Sequence, residues 1–428
     1  MVRKIYIGII GVGVVGSSVI RILKQNQDLI GARAGVEFVI KKAVVRDIPK
    51  AQKLGILEAD KFHTDIDSIL NDKDIDVVIE LIGGVEFAYE IAKKALQNNK
   101  ALITANKAML AYHRYDLARI AKELPIGFEA SVGGGIPIVR TLRDCLASNH
   151  IQAIYGILNG TSNYILTQMF DHNKDFYTAL LEAQNLGYAE SDPTLDINGL
   201  DAGHKLLILA TLAYGINALP EDILIEGISD ITPDDMEFAR EFGYTIKLLG
   251  IAKSDNNELE LRVHPSLILK DCMISKVGGV MNGVSVIGDC AGESMYYGAG
   301  AGGNATASSV IADLIEIARD THSSMLGFSR SFDKNLTLKS IEKIRSRYYI
   351  RLYTQDKPGV LSQITQILGD NNISIQALLQ KEHTEQGMAK LFISTHTSIE
   401  SDINKALQEI QSLPIVSQKP YKIRIQDL

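Results

Sequence analysis

Cysteine is scarce in this 428-residue sequence: Cys145, Cys272 and Cys290 are scattered and share no ligand spacing. That excludes a disulfide scaffold and a zinc ribbon, and it suits reduced thiols in a cytoplasm. Long apolar runs are missing as well. The longest, Leu206 to Tyr214, falls far short of the roughly 20 residues that span a bilayer. Met1 to Ile5 run straight into a strand pattern with no signal-peptide core, so a cytoplasmic protein is expected. Positive charge is not in surplus; a net charge of −7 argues against a nucleic-acid or membrane-surface binder. There is no repeat at a fixed period and no low-complexity tract.

Burial, by contrast, is well provided for. Hydrophobic residues make up 46% and charged residues 22%, enough to offset chain entropy and exclude whole-chain disorder. At roughly 150 residues per domain the length admits about three domains. Residues 1–130 alternate β-rich runs (Ile5 to Ile10, Phe38 to Val45, Val77 to Leu81, Leu102 to Ala105) with helix-length segments, which reads as βαβ units around a parallel sheet. Residues 131–320 mix long helices with strand-like pieces such as Leu259 to His264, an α+β pattern. Nine of the 35 glycines fall between Gly278 and Gly303, reading as loops that approach something closely or as a mobile surface loop. A polar connector, 321–346, follows. From 347 to 428 the order is strand (348–353), helix (360–369), strand (373–380), strand (389–395), helix (399–410), strand (421–425): the βαββαβ, ferredoxin-like arrangement.

The first strand leads at once into Gly11, Val12, Gly13, Val14, Val15 and Gly16, with a helix expected from about Ser17. Gly11 permits the tight turn, Gly13 lets backbone reach a pyrophosphate, and Gly16 lets helix and strand pack closely. The helix start then offers free N–H groups to phosphate. A lone GxGxxG is weak, but here it stands between strand and helix, as a dinucleotide site requires. At the end of the second strand an acidic residue suits the ribose 2′-OH of NAD and an arginine the 2′-phosphate of NADP. Arg46 comes first, which favours NADP; Asp47 follows and suits NAD; a solvated charge pair fits the same two residues.

Asp201 and Lys205 are four apart, on one helical face. On an exposed helix that is an ordinary ion pair. The helix beyond Lys205 is apolar enough to be buried, however, and Glu190, Asp192, Asp196 and Asp201 crowd its approach. A part-buried lysine among carboxylates suits a proton donor or a site for a substrate ammonium. Thr104, Ala105, Asn106 and Lys107 close a strand where open α/β sheets place ligands, so Lys107 reads as a phosphate or substrate contact, or as a loop lysine. Glu129 followed by Val132, Gly134 and Ile136 pairs a carboxylate with sterically open carbonyls, suited to a monovalent cation or another ligand. Asn159 to Asn163 offer hydroxyls and amides at a strand-to-helix turn. Gly298 to Gly303, including Gly302, open a second helix through Ala318. Each of these also fits a glycine turn or a helix cap.

Taken together these stretches resemble the homoserine dehydrogenase family over nearly the whole chain: the N-terminal GxGxxG, Thr104 to Lys107, Glu129 to Pro137, Leu158 to Thr161 and the 183–205 segment, all in the family's order. The last zone, with Asp356 to Leu361 at its first strand-to-helix turn, resembles an ACT domain, an amino-acid sensor. The resemblance implies a Rossmann-type domain at 1–130, a substrate-binding, catalytic and dimerisation domain at 131–320, a linker at 321–346 and an ACT regulatory domain at 347–428. It implies reversible NAD(P)H-dependent reduction of L-aspartate 4-semialdehyde to L-homoserine, on the branch to threonine and methionine. Lys205 would be the proton donor, with Asp201 orienting it and Lys107 nearby, also beside the cofactor. Gly11, Gly13, Val14, Val15, Gly16, Arg46 and Gly302 would bind the dinucleotide. Glu190, Asp196, Gly160, Thr161 and Tyr188 would bind substrate, and Glu129, Val132, Gly134 and Ile136 a sodium ion. The ACT module implies a threonine effector, the proline at 358 starting its helix, and a homodimer or homotetramer. With no kinase segment ahead of the first strand, a fused aspartokinase is not expected, and no cysteine motif suits a thioester route. The alternative of another class is an ACT-coupled nucleotide-binding regulator without turnover. A pure sensor has no need of Lys205, Asp201, Glu190 and Lys107 together.

Overall fold

Ile5, Ile7, Ile9 and Ile10 are buried in the first strand, Lys4–Ile10, of the computed structural model, which describes residues 2–330, 336–382 and 387–428. Strands covered on both faces read as near-continuous apolar runs, and this one lies inside a six-stranded parallel sheet. Its order is Phe62–His63, Glu37–Val44, Lys4–Ile10, Val77–Glu80, Ala101–Thr104, Ile126–Gly127. In chain order that is 3-2-1-4-5-6, the doubly wound dinucleotide-binding arrangement. The four strands expected here stand within one residue of their expected bounds. The following helix spans Val14–Gln25, three residues earlier than the expected start. Gly13 is its extended N-cap, and the Ser17 hydroxyl donates back to the Val14 carbonyl inside the helix instead of capping it.

Of the described residues, 2–160, 201–222 and 280–330 form one compact unit, and 161–200, 223–279 and 336–428 a second. In the first, the Gly303–Arg319 helix brings Ala307, Val310, Leu314 and Ala318 into the same core as Val19, Ile20 and Leu23. The glycine-rich stretch 278–303, read as loop, is mostly a β-hairpin: Met281–Gly288 pairs antiparallel with Gly292–Ala299 and with Ile151–Ile157. Val284 and Val286, fully buried, supply the β-branched side chains that hold it. Its glycines do mark close approaches, since a Cβ on Gly300 would stand 2.0 Å from Asn282 Cγ. The Leu200–Tyr214 helix is buried on every face from Asp201 to Leu212, as an all-round apolar helix must be.

In the second unit the βαββαβ order appears as Arg345–Gln355, Val360–Asp370, Ile375–Glu382, Met388–Thr395, Glu400–Gln411 and Tyr421–Gln426. Its four strands pair antiparallel in the order 2-3-1-4. Tyr348, Ile350, Leu352, Ile364, Leu391, Ile393 and Ile403 are its core. The proline expected to start the first helix precedes it: Gly359, at φ +88°, is the N-cap and Val360 the first helical residue. Ile399, given to the second helix by the sequence pattern, is strand together with Ser398, and the two pair with Arg345–Ser346. Of the expected connector 321–346, residues 331–335 lie outside the described residues, as do 383–386 of the 347–428 zone.

The strand expected at 259–264 is longer, Glu258–Leu269, and pairs along its length with Tyr244–Asp255. Its other edge is covered in three patches by parallel partners: Thr337–Leu338, Leu224–Ile225 and Arg424–Gln426. Pro265, with no N–H to donate, falls between the last two. Among the described residues no helix is long and apolar enough to cross a membrane.

Candidate active site

The glycine turn is shaped by what a side chain would strike. Gly11 has φ +100°, and a Cβ there would lie 2.7 Å from the Leu81 carbonyl oxygen; one on Gly16 would lie 2.2 Å from the Gly11 oxygen. A Cβ on Gly13 meets nothing within 4 Å, so its backbone faces open space. Neither the Val14–Gln25 helix nor the Gly303–Arg319 helix has a side-chain N-cap; Gly13 and Gly302 hold those positions. A Cβ on Gly303 would stand 2.6 Å from Ser18 Oγ, so the second helix start abuts the first. Two uncapped helix starts present free N–H groups and positive dipole ends together, and the residues present fit a dinucleotide pyrophosphate. Val14 is exposed and Val15 half-buried beside them. Arg46 is exposed at the end of the second strand, while the Asp47 carboxylate caps a short helix by accepting the Lys50 N–H at 2.9 Å.

Lys205 and Asp201 meet as the helical spacing predicts. The Lys205 ammonium donates to Asp201 Oδ2 and to the Leu158 carbonyl, both at 2.7 Å, and the lysine is 8% exposed. Asn159 donates to Asp201 Oδ2 at 2.8 Å, and Lys107 stands 3.0 Å from Asp201 Oδ1. Burial alone would raise the Asp201 carboxyl, but the Lys205 and Lys107 ammoniums with these bonds hold it far below the usual carboxylate range. Lys107 is the first residue of the Lys107–Ala121 helix, which Asn106 caps by accepting the Met109 N–H. Its side chain is half-exposed.

Three parts of this arrangement are absent from the sequence reading. The Leu158 carbonyl also accepts from the Asn282 amide at 3.0 Å; 124 residues separate the two, and no local pattern signals such a contact. Asn159 stood inside a recognised turn with no role given to it. His204, beside Lys205, is buried with no hydrogen-bond partner for Nε2 among the described residues, and burial lowers its pKa.

The expected substrate-binding residues belong to the second unit, apart from Gly160, whose Cβ would meet the Val280 oxygen at 2.6 Å. The Thr161 hydroxyl donates to the Tyr188 carbonyl at 2.7 Å, and the Ser162 hydroxyl to the Asp196 carbonyl at 2.7 Å. The Tyr188 ring is half-exposed and edge-on to Tyr164. Glu190 is exposed, and Asp196 half-buried. Asp192, one of four carboxylates expected to crowd Lys205, instead accepts the Thr194 N–H and hydroxyl in its own turn. Asp201, the last of the four, is hydrogen-bonded to the ammonium.

Glu129 is 3% exposed, and its carboxylate accepts the Val139 and Arg140 N–H groups, each at 2.9 Å. Burial pushes its pKa up, against these two N–H groups and the positive charge of Arg140 and Arg143. Gly133 and Gly134 both have positive φ, and the Gly134 carbonyl accepts from Ser309 at 2.6 Å. Val132 and Ile136 are buried alongside. A buried carboxylate next to backbone oxygens fits a hard cation in donor type. Among the described residues no cluster of three His, Cys, Asp or Glu could hold a metal ion by side chains alone.

A dinucleotide crevice in the same unit as a buried lysine held by a carboxylate defines a nicotinamide-dependent oxidoreductase acting on a CH–OH group. Residues 11–125 match the family model "Homoserine dehydrogenase, NAD binding domain", 137–315 "Homoserine dehydrogenase" and 348–415 "ACT domain". The chain is 56% identical to a homoserine dehydrogenase of Helicobacter pylori and 41% identical to one of Pseudomonas aeruginosa, each alignment covering 100% of both chains. The crystal structure of a homoserine dehydrogenase from Thiobacillus denitrificans superposes with a TM-score of 0.91 at 41% identity, covering 99% of each chain. A hyperthermophilic archaeal homoserine dehydrogenase in complex with NADPH matches 73% of this chain and 97% of its own, at 27% identity and TM-score 0.62. This chain belongs to the homoserine dehydrogenase family.

Proposed function

We propose that the chain catalyses the reversible oxidation of L-homoserine to L-aspartate 4-semialdehyde, in the cytoplasm, on the branch leading to threonine and methionine. The observation that carries this is the buried Lys205 ammonium, fixed at 2.7 Å from both Asp201 and the Leu158 carbonyl. When bound, the nicotinamide exchanges a hydride with the substrate carbon. In the reducing direction charge develops on the carbonyl oxygen, and Lys205 both stabilises and protonates it, an effect of typically 10²–10⁴-fold. Asp201 orients that ammonium and keeps it charged, and Lys107 meets cofactor and substrate beside it. Glu190 takes the substrate ammonium, and Asp196, Gly160, Thr161 and Tyr188 also bind substrate. Residues 1–130 hold the dinucleotide through Gly11, Gly13, Val14, Val15, Gly16 and, from the later helix, Gly302. Residues 131–320 bind substrate and pair subunits into a dimer or a tetramer. A sodium ion would be held by Glu129 and the carbonyls of Val132, Gly134 and Ile136, a buried carboxylate beside backbone oxygens.

NADP is the preferred cofactor in this reading. Arg46 is exposed at the end of its strand while Asp47 is used as a cap, and the archaeal relative's structure is of a complex with NADPH. The test is oxidation of L-homoserine with NADP⁺ and NAD⁺ in parallel. Arg46→Ala is expected to raise the KM for NADP⁺ about tenfold, the loss of one charge-assisted contact to a phosphate, and to leave that for NAD⁺ unchanged. Equal effects on both would remove Arg46 from the 2′-phosphate. A protein that binds nucleotide and oxidises no homoserine would be the regulator instead.

Threonine is the effector we assign to the 347–428 zone, reached through the 321–346 connector. A cavity of about 140 Å³ lies against Asp356 to Leu361, Gln380, Ala389 and Leu391, and Gly359 leaves the helix start beside it without a side-chain cap. Threonine at 100 times its Kd is expected to stabilise the fold by about 2.7 kcal/mol, read as a rise in Tm, and to inhibit turnover. An unchanged Tm and rate at saturating threonine would exclude it.

A further inference from the structure

Glu80 ends the Val77–Glu80 strand with none of its surface exposed. A carboxyl buried without a cation costs free energy that an apolar residue in the same place would not. Among the described residues none pairs with it, and burial pushes its pKa up to about 7. Its oxygens are committed to something else. Oε1 accepts the Ile82 N–H at 2.7 Å, and Oε2 accepts the Thr104 hydroxyl at 2.5 Å. Having given its one proton to Glu80, Thr104 Oγ1 accepts the Asn106 N–H at 3.0 Å. The Asn106 side chain then accepts the Met109 N–H at 3.0 Å, and its amide donates to the Gly84 and Ile82 carbonyls. The next residue is Lys107, whose ammonium lies 3.0 Å from Asp201 Oδ1.

We infer that Glu80 and Thr104 are positioning residues for Lys107: their carboxyl–hydroxyl–amide chain fixes where the Lys107–Ala121 helix begins and so holds the Lys107 ammonium against Asp201. The chain ties together the carboxyl ends of two neighbouring parallel strands, Val77–Glu80 and Ala101–Thr104, where open α/β sheets bind their ligands. A displacement of about 1 Å at a reacting group costs about 10²-fold in rate, which is reason to hold such a carboxyl here despite its burial. The inference rests on the role given to Lys107 above.

The test is a double-mutant cycle in the full-length enzyme, following kcat and KM for homoserine and the Tm. Thr104→Val keeps the side-chain shape and removes both links; it is expected to lower kcat about tenfold with little change in the KM for homoserine. Thr104→Ser, which restores the hydroxyl, is expected to return kcat to within twofold of the parent. In a Lys107→Met background, Thr104→Val is expected to change kcat less than twofold, because the group it positions has gone. A tenfold loss in both backgrounds, or none in the parent, overturns the inference while leaving Lys107 in place. A Lys107→Met enzyme with parental kcat overturns the role of Lys107 itself. Should Thr104→Val not fold, Glu80→Gln enters the same cycle, because its amide turns a donor toward Thr104 where the carboxylate accepted.

Discussion

Lys205→Met is expected to lower kcat for homoserine oxidation by about 10²–10⁴-fold, the usual worth of a positioned acid–base group, while nucleotide binding persists. Methionine matches the lysine stem in length and burial, so the apolar helix around it keeps its packing. What disappears is the one ammonium held between Asp201 and the Leu158 carbonyl. Lys107 and Asn159 still reach Asp201, so the carboxylate stays partnered and the fold should survive, as an unchanged circular-dichroism spectrum would register. Single-turnover kinetics with NADPH and aspartate semialdehyde separate the chemical step from product release. A variant that turns over within tenfold of the parent would remove Lys205 from the chemistry. Lost nucleotide binding would instead mark the substitution as structural.

The second large effect is on stability. Asp235 has no exposed surface; it is bonded to Arg351, accepts the Tyr349 hydroxyl at 2.7 Å and takes the Thr232 N–H at 2.8 Å. Asp235→Ala strands the buried Arg351 guanidinium, Tyr349 and a helix N-terminus at once. Breaking a buried ion pair from one side costs about 3–5 kcal/mol, which denaturant titration would read as a lowered midpoint. The double variant Asp235→Leu with Arg351→Met is expected to recover most of that, since replacing both partners with apolar residues is often neutral. If the single variant loses less than 1 kcal/mol, this pair does not anchor the Pro233–Glu241 helix to the Arg345–Gln355 strand.

How much of this was legible in the sequence follows from range. The parallel strands, the βαββαβ order and the Asp201–Lys205 pair are set by spacings of two, three or four residues, and they stand close to where periodicity puts them. The Ser17 and Pro358 expectations failed by two or three residues because glycines, not capping side chains, begin those helices. The Gly278 to Gly303 stretch misled in kind. Glycine density signals close backbone approach equally in a loop and in a hairpin, and buried Val284 and Val286 decide which. The carboxylates before Lys205 show the limit of charge spacing, which does not separate Asp192 bonding within its own turn from Asp201 bonding the ammonium. Asn282 against Leu158 and Glu80 against Thr104 are pairings across 124 and 24 residues, and nothing in either local sequence records its partner.

The patched edge of the Glu258–Leu269 strand sets a timetable for synthesis. The segment covering Ser266 to Ile268 comes from residues 424–426, 158 residues later in the chain. At about 5–20 residues per second on a ribosome, that edge waits roughly 8–30 s for its partner. Until then its N–H and C=O groups are open to any other strand, the hazard that exposed edges carry. The first unit's parallel sheet is complete by residue 127, but its Ile151–Ile157 strand waits roughly 130 residues for Met281–Gly288, so each unit passes through a window of exposure in which a holdase or a slow codon would act.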